Sequence, residues 1–239
     1  MLDHISPDNL LFLDIETVSS YPTYEQLSEN MKKLWDKKAR YLAEDGQSPA
    51  EVYNKAGIFA EFGKIICISA GLIVFEKGKY SARIKSFAGD EEKKILEEFN
   101  RMLHNYSGKR DFTLCAHNGK EFDFPFIARR MLINRLTLPP VLDIAGKKPW
   151  EVNFADTMEL WKFGDFKSYT SLELLAAIFG IPTPKDDIDG SMVGKVYHEE
   201  HDLERIVTYC EKDVLTLIQL LLKFKGMEII PEENVEYVK

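Results

Sequence analysis

The chain has 239 residues, 45% hydrophobic and 29% charged, with a formal net charge of −8. That composition supports a sizeable core in one domain with insertions, or two small domains at most. The acidic balance argues against a protein whose main task is to coat nucleic acid, though not against an enzyme that meets a few phosphates through metal ions.

Residues 9–16 read as a first strand, with Leu11, Leu13 and Ile15 on one face and Phe12, Asp14 and Glu16 on the other. Two acids therefore leave a core-forming strand side by side. A helix-rich insertion follows, placed at about 18–62, with its helical part at 24–62 and charges of both signs. Residues 64–75 are an apolar, Ile-rich run of strand length. The turn "EKGKY" then leads into 80–87, a period-two hairpin partner. The run 65–75 is broken only by Ser69 and is far shorter than the roughly 20 residues of a membrane helix. The start "MLDHISPDNL" has no basic region, so no secretory signal is expected. Cys67, Cys115 and Cys210 are far apart, form no CxxC pattern and lie in apolar contexts, which reads as buried free thiols in a cytoplasmic protein without a membrane anchor.

In 93–106, Ile95, Leu96, Phe99, Met102, Leu103 and Tyr106 form one helical stripe. A short strand at 112–115, the turn "HNGKEFDFPF" and a helix through 133 come next. Residues 134–169 look irregular apart from a short strand near 152–156. Thr170 with Glu173 suggests a capping box for a helix ending at Gly180. An acidic loop "PKDDIDG", a helix at about 191–199 and a long helix from the Asp202 cap to about 225 complete the pattern. Residues 227–239 read as an irregular tail behind a domain of 1–226. This order predicts an α/β fold: a mixed sheet whose first three strands are antiparallel, with helices packed on it.

Asp14, Glu16, Asp123 and Asp213 stand out against their surroundings, and Tyr209 precedes Asp213 by four residues. At about 100° per residue, Tyr209 and Asp213 lie about 40° apart, at the flank of the apolar stripe of the last helix. Carboxylates near 5 Å apart repel by roughly 3 kcal/mol per pair at an effective dielectric of about 20. Such a cluster needs either protons or cations. With carboxylates alone, and no Cys or His among them, Mg²⁺ or Mn²⁺ suits better than Zn²⁺. Each motif also has a plain structural reading: a solvent-facing strand pair, Asp123 as a helix cap before Pro125, a chance helical pair.

Taken jointly, Asp14-Ile15-Glu16-Thr17, Asn118-Gly119-x-x-Phe122-Asp123 and Tyr209-x-x-x-Asp213 resemble the three motifs of the DEDD 3′–5′ exonucleases, in the tyrosine (DEDDy) version. None of the five histidines has Asp five residues later, as the histidine branch requires. "DTMELWKFG" and "TPKDDIDGSMVGKVY" are similar to the stand-alone bacterial enzymes related to the editing domain of family B DNA polymerases.

The resemblance implies an RNase H-like fold and two-metal hydrolysis at the 3′ end of single-stranded DNA, or of RNA in a processing enzyme. It implies two Mg²⁺ or Mn²⁺ ions, one held by Asp14, Glu16 and Asp213, the other by Asp14 with Asp123 in support. It makes Tyr209 the residue that orients the attacking water, and Thr17, Asn118 and Phe122 candidate substrate contacts, with core packing an equal alternative for Phe122. Asp156 and Lys185 are weaker candidates for the cleft. The basic stretch 32–40 around Trp35 reads first as a solvated helix face and second as a strand-guiding surface. A catalytically silent nucleic-acid-binding scaffold on the same fold is the other class of reading.

No P-loop competes: Gly57 and Gly63-Lys64 are one residue too far apart and Ile65 stands where Ser or Thr is needed. Neither GxGxxG nor GxSxG occurs.

Overall fold

The computed structural model describes the chain except for residues 1, 3, 77, 108–110, 166, 168, 183–187 and 239. Lys185 therefore lies outside the described residues, as do parts of the acidic loop and of the hairpin turn.

The first strand, β1 (Leu10–Ser19), runs three residues further than its apolar pattern suggests. The insertion holds a single α-helix, α1 (Glu29–Ala39), flanked by 3-10 turns, so it is less helical than expected. It closes on a small core of its own. Trp35 is fully buried there against Tyr53 and Phe62 and donates its indole N–H to the Pro49 carbonyl at 2.8 Å. Trp35 thus offers no ring to a nucleic acid, while Lys37 and Lys38 on the same helix are solvated.

The hairpin β2 (Gly63–Glu76) and β3 (Lys79–Ala88) follows, then α2 (Glu92–Ser107), β4 (Thr113–Ala116) and α3 (Asp123–Ile133). Next come β5 (Ala155–Asp156), α4 (Thr157–Lys162), α5 (Leu172–Ile178), the short α6 (Val193–Lys195) with a π-turn at Val196–Glu200, and the long α7 (Leu203–Phe224). The cap of α5 is Ser171, whose hydroxyl accepts from the Leu174 N–H at 3.2 Å, one residue beyond the expected Thr170. The tail is not wholly irregular: β6 (Val235–Val238) pairs in parallel with β3.

The six strands stand in the order β5-β4-β1-β2-β3-β6. β1 to β3 are antiparallel and the remaining pairings parallel, the mixed sheet that the element order implies. β1 lies inside this sheet and its two faces meet different cores. Leu11, Leu13 and Ile15 pack with Leu96 and Phe99 of α2 and Phe126 and Ile127 of α3. Leu10 and Phe12 pack with Val214, Leu217 and Leu221 of α7. Helix α7 comes in close because β2 carries Gly71 beneath it; a Cβ there would lie 2.7 Å from Val214. All three cysteines are buried free thiols. Among the described residues no helix is long and apolar enough to cross a membrane.

One buried ion pair ties these layers together. Arg130 of α3 donates Nε and Nη2 to the two oxygens of Glu92 on α2 at 2.8 and 2.6 Å, and Nη1 to the Ala60 carbonyl of the insertion at 2.7 Å. Glu92 also accepts from the Ile65 N–H of β2 at 2.7 Å and from Asn134 at 2.8 Å. Removing one partner leaves a buried charge unpaired. Arg130→Ala should therefore lower the unfolding free energy by about 3–5 kcal/mol, as read by urea denaturation. A loss close to zero would show that the pair does not join the layers.

Candidate active site

Asp14 and Glu16 leave β1 on the face turned to α7. Asp14 stands opposite Ser69 and Glu16 opposite Cys67 in the antiparallel register. A bulge follows directly, where Glu16 pairs with Cys67 but Thr17 pairs with Ile65. Asp14 and Thr17 are half-buried and Glu16 is 8% exposed.

From α7, Cys210 points at the strand. Its Sγ lies 3.3 Å from Asp14 Oδ2, to which the thiol donates, and 3.5 Å from the Asp14 carbonyl. Tyr209 and Asp213, both half-buried, flank the apolar stripe as the helical arithmetic requires, and the Tyr209 hydroxyl donates to Asp213. Asp123 enters from the first turn of α3, almost wholly buried, and accepts a hydrogen bond from the Ile15 backbone. Residues from β1, α3 and α7 thus converge.

The electrostatics of the convergence follow from burial and like charge. Burial, then the charges of Glu16, Asp123 and Asp213, hold the Asp14 carboxyl well above the usual carboxylate range, with the Cys210 hydrogen bond acting the other way. Glu16 is raised in the same direction by burial and by the Asp213, Cys67 and Asp123 charges. Burial pushes Asp123 up to about 7, Asp156 and Asp213 adding to it, while hydrogen bonds from its own and the Ile15 backbone hold it back. Tyr209 is pushed above its ordinary value by burial and by the three carboxylates around it.

The residues also fit a cation. Glu16 is 8% exposed as a residue, its carboxylate oxygens keep some contact with solvent, and no hydrogen-bond donor among the described residues reaches them. A buried acid without donors is costly unless a proton or a positive charge meets it. Among the described residues, one group of three places its ligand atoms all within 4.8 Å of one another: Asp14, Glu16 and Cys210. Asp123 and Asp213 act on these acids through their charges but complete no such group. The expectation that no Cys stands among the carboxylates is therefore corrected. Cys210 belongs to the apolar stripe by its spacing, and only the close approach of α7 to β1 turns that stripe position into a neighbour of Asp14.

The remaining candidates divide. Asn118 adopts a left-handed backbone (φ 62°) and its carbonyl accepts from the Glu121 and Phe122 N–H groups, so it shapes the turn before α3. Gly119 is needed in that turn because a Cβ would lie 2.3 Å from the Ala116 Cβ. The Phe122 ring sits 5.4 Å from Phe126 at the margin of the core, which gives it a packing role. Asp156 is a buried structural acid. It caps α4 through the Met158 and Glu159 N–H groups and accepts from the Asn118 and Lys120 N–H groups at 3.0 and 3.1 Å. Asp156→Ala strands four backbone donors, so it should cost about 1–2 kcal/mol of stability. Hydrogen exchange at the Asn118 and Lys120 amides should accelerate with it; unchanged exchange would refute the assignment.

A family model described as a predicted 3′–5′ exonuclease related to the exonuclease domain of PolB matches residues 58–235, well over half of the chain. Among solved structures, the family B DNA polymerase from the hyperthermophilic archaeon Pyrobaculum calidifontis has the same fold over 92% of this chain, with a TM-score of 0.54 and 16% identity. The chain spans only 25% of that polymerase, and identity this low speaks for the fold alone. Given the match of the family model, the chain belongs to the family of predicted 3′–5′ exonucleases related to the exonuclease domain of PolB.

Proposed function

We propose that the chain is a metal-dependent 3′–5′ exonuclease that hydrolyses phosphodiester bonds at the 3′ end of single-stranded nucleic acid, DNA in preference to RNA. The observation that carries this reading is the convergence of Asp14, Glu16, Asp123 and Asp213 with Tyr209, three of the acids holding raised proton affinity. An idle surface has no reason to gather charges that repel one another, which disfavours the silent scaffold.

In this reading Asp14, Glu16 and Asp213 hold one divalent cation, Mg²⁺ or Mn²⁺, and Asp14 with Asp123 holds a second. When bound, such a pair supplies Lewis acidity to the attacking and leaving oxygens of an in-line displacement. The protein's own groups do the positioning. Tyr209 keeps its proton at neutral pH, so it donates a hydrogen bond and orients the water rather than acting as the base. Ile15, fixed by β-pairing to Ile68, holds the Asp123 carboxylate through its backbone N–H. Thr17 and Asn118 are the proposed contacts for a terminal nucleotide, Asn118 also shaping the turn before α3, while Phe122 packs on Phe126. The basic stretch 32–40 keeps a solvated face, with Lys33, Lys37, Lys38 and Arg40 exposed, and its Trp35 ring contributes nothing to a strand-guiding surface because it is buried in the insertion.

The raised carboxyls make stability depend on pH. Asp123 unfolded has an ordinary value of 3.8 and folded one of about 7, and Asp14 and Glu16 are shifted in the same direction. The unfolded chain therefore gives up these protons first, and the ion-free protein loses stability as pH rises through that window. Its melting temperature in EDTA should be lower at about pH 8 than at about pH 5, and Mg²⁺ or Mn²⁺ should restore it at the higher pH. Equal melting temperatures would count against the cluster.

The activity is tested by a time course on 3′-labelled and 5′-labelled DNA and RNA, with and without EDTA. The 3′ label should be released first and only with divalent ions. Asp14→Ala and Asp213→Ala should abolish release, and Tyr209→Phe should slow it by up to about 100-fold. Full activity in Asp14→Ala would sink the assignment, and preferential release from RNA would make the chain an exoribonuclease.

A further inference from the structure

We propose that this site also takes a thiophilic divalent ion of the Zn²⁺ class, held by the Cys210 thiolate together with the carboxylates of Asp14 and Glu16. The three ligand atoms already lie within 4.8 Å of one another, and the sulfur lies 3.3 Å from Asp14 Oδ2. A tetrahedral Zn²⁺, with Zn–S near 2.3 Å and Zn–O near 2.1 Å, spaces sulfur and oxygen about 3.6 Å apart. Only a small rearrangement separates the cluster from that geometry. Cys210 is fully buried, and Glu16, 8% exposed as a whole residue, meets no hydrogen-bond donor among the described residues. A second sulfur, Cys67, stands opposite Glu16 across the β1–β2 pair. The charges of Asp123 and Asp213 add to the attraction for any cation.

Mg²⁺ does not use the sulfur. It demands near-octahedral oxygen coordination, whereas Zn²⁺ accepts thiolate with carboxylate in a four-coordinate site. On binding, the S–H bond of Cys210 breaks, its proton passes to solvent and an S–Zn bond forms, with no change of oxidation state. Asp14 and Glu16 serve both kinds of ion, so the two exclude each other. Zn²⁺ would then arrest the enzyme by occupying the shared carboxylates. This inhibitory consequence, though not the binding, rests on the exonuclease reading.

The test uses the full chain, freed of metal by EDTA and titrated with Co²⁺ as a coloured substitute for Zn²⁺. A sulfur-to-cobalt charge-transfer band in the near ultraviolet should grow to one equivalent, and Zn²⁺ should abolish it far more readily than Mg²⁺ does. Cys210→Ser should remove the band and weaken Zn²⁺ binding by at least about tenfold, with circular dichroism reporting the fold. Should that variant not fold, X-ray absorption on the wild-type zinc complex must show a sulfur neighbour near about 2.3 Å. A band that persists in folded Cys210→Ser, or a zinc shell without sulfur, overturns the proposal. The band without nuclease activity under any ion refutes the exonuclease reading and leaves the zinc site standing. Mg²⁺-dependent activity without the band does the reverse.

Discussion

Carboxylates that repel one another have been drawn onto a strand that cannot move. Asp14 and Glu16 sit on β1, which has β4 on one side and β2 on the other, and its Leu10, Leu11, Phe12, Leu13 and Ile15 side chains are locked into two cores. At roughly 3 kcal/mol per close pair, the repulsion is a large share of the 5–15 kcal/mol or so that holds a domain together. The cluster can persist only if its mounts are stiff. Position in the sheet supplies stiffness to two acids, the first turn of α3 to a third and the long α7 to a fourth. A Cβ at Gly71 would lie 2.7 Å from Val214, so its absence lets α7 pack close on the sheet.

Other buried acids in the same chain show what the cluster lacks. Glu92 is as buried as Glu16, yet it meets a guanidinium, a backbone N–H and an amide. Asp156 is as buried as Asp123 and meets four backbone N–H groups. Burial and residue type are matched in each pair; Asp123 accepts from its own and the Ile15 backbone, while Glu16 meets no donor among the described residues. Glu92 and Asp156 close bonding networks and serve the fold. Glu16 has no such partner among the described residues, which is what the proposed cation would supply.

Much of this was legible in order and period. The two faces of β1, the β2–β3 hairpin, the stripe of α2 and the flank position of Tyr209 and Asp213 on α7 follow from alternation and helical spacing, because each is a local pattern with one buried side. What escaped is short or made by tertiary contact. The single turn and a half of α4 depends on the Asp156 cap, and β6 is four residues long and exists through its pairing with β3. The basic helix around a tryptophan does present a solvated face, but its ring closes the core of the insertion, which no local pattern announces. Cys210 looked like one more apolar stripe residue, since nothing local distinguishes a thiol packed on Leu from one packed on a carboxylate.

The last strand decides how much of the sheet edge is open. Without it, the ten residues of β3 would end the sheet with a long row of free backbone groups, an open template for another molecule's strand. β6 covers part of that row with four residues, largely solvated, and Glu236 within it pairs with Arg83 at 2.8 Å. The sheet therefore finishes in a margin that is short and charged. β6 thereby shortens the open edge that β3 alone would present.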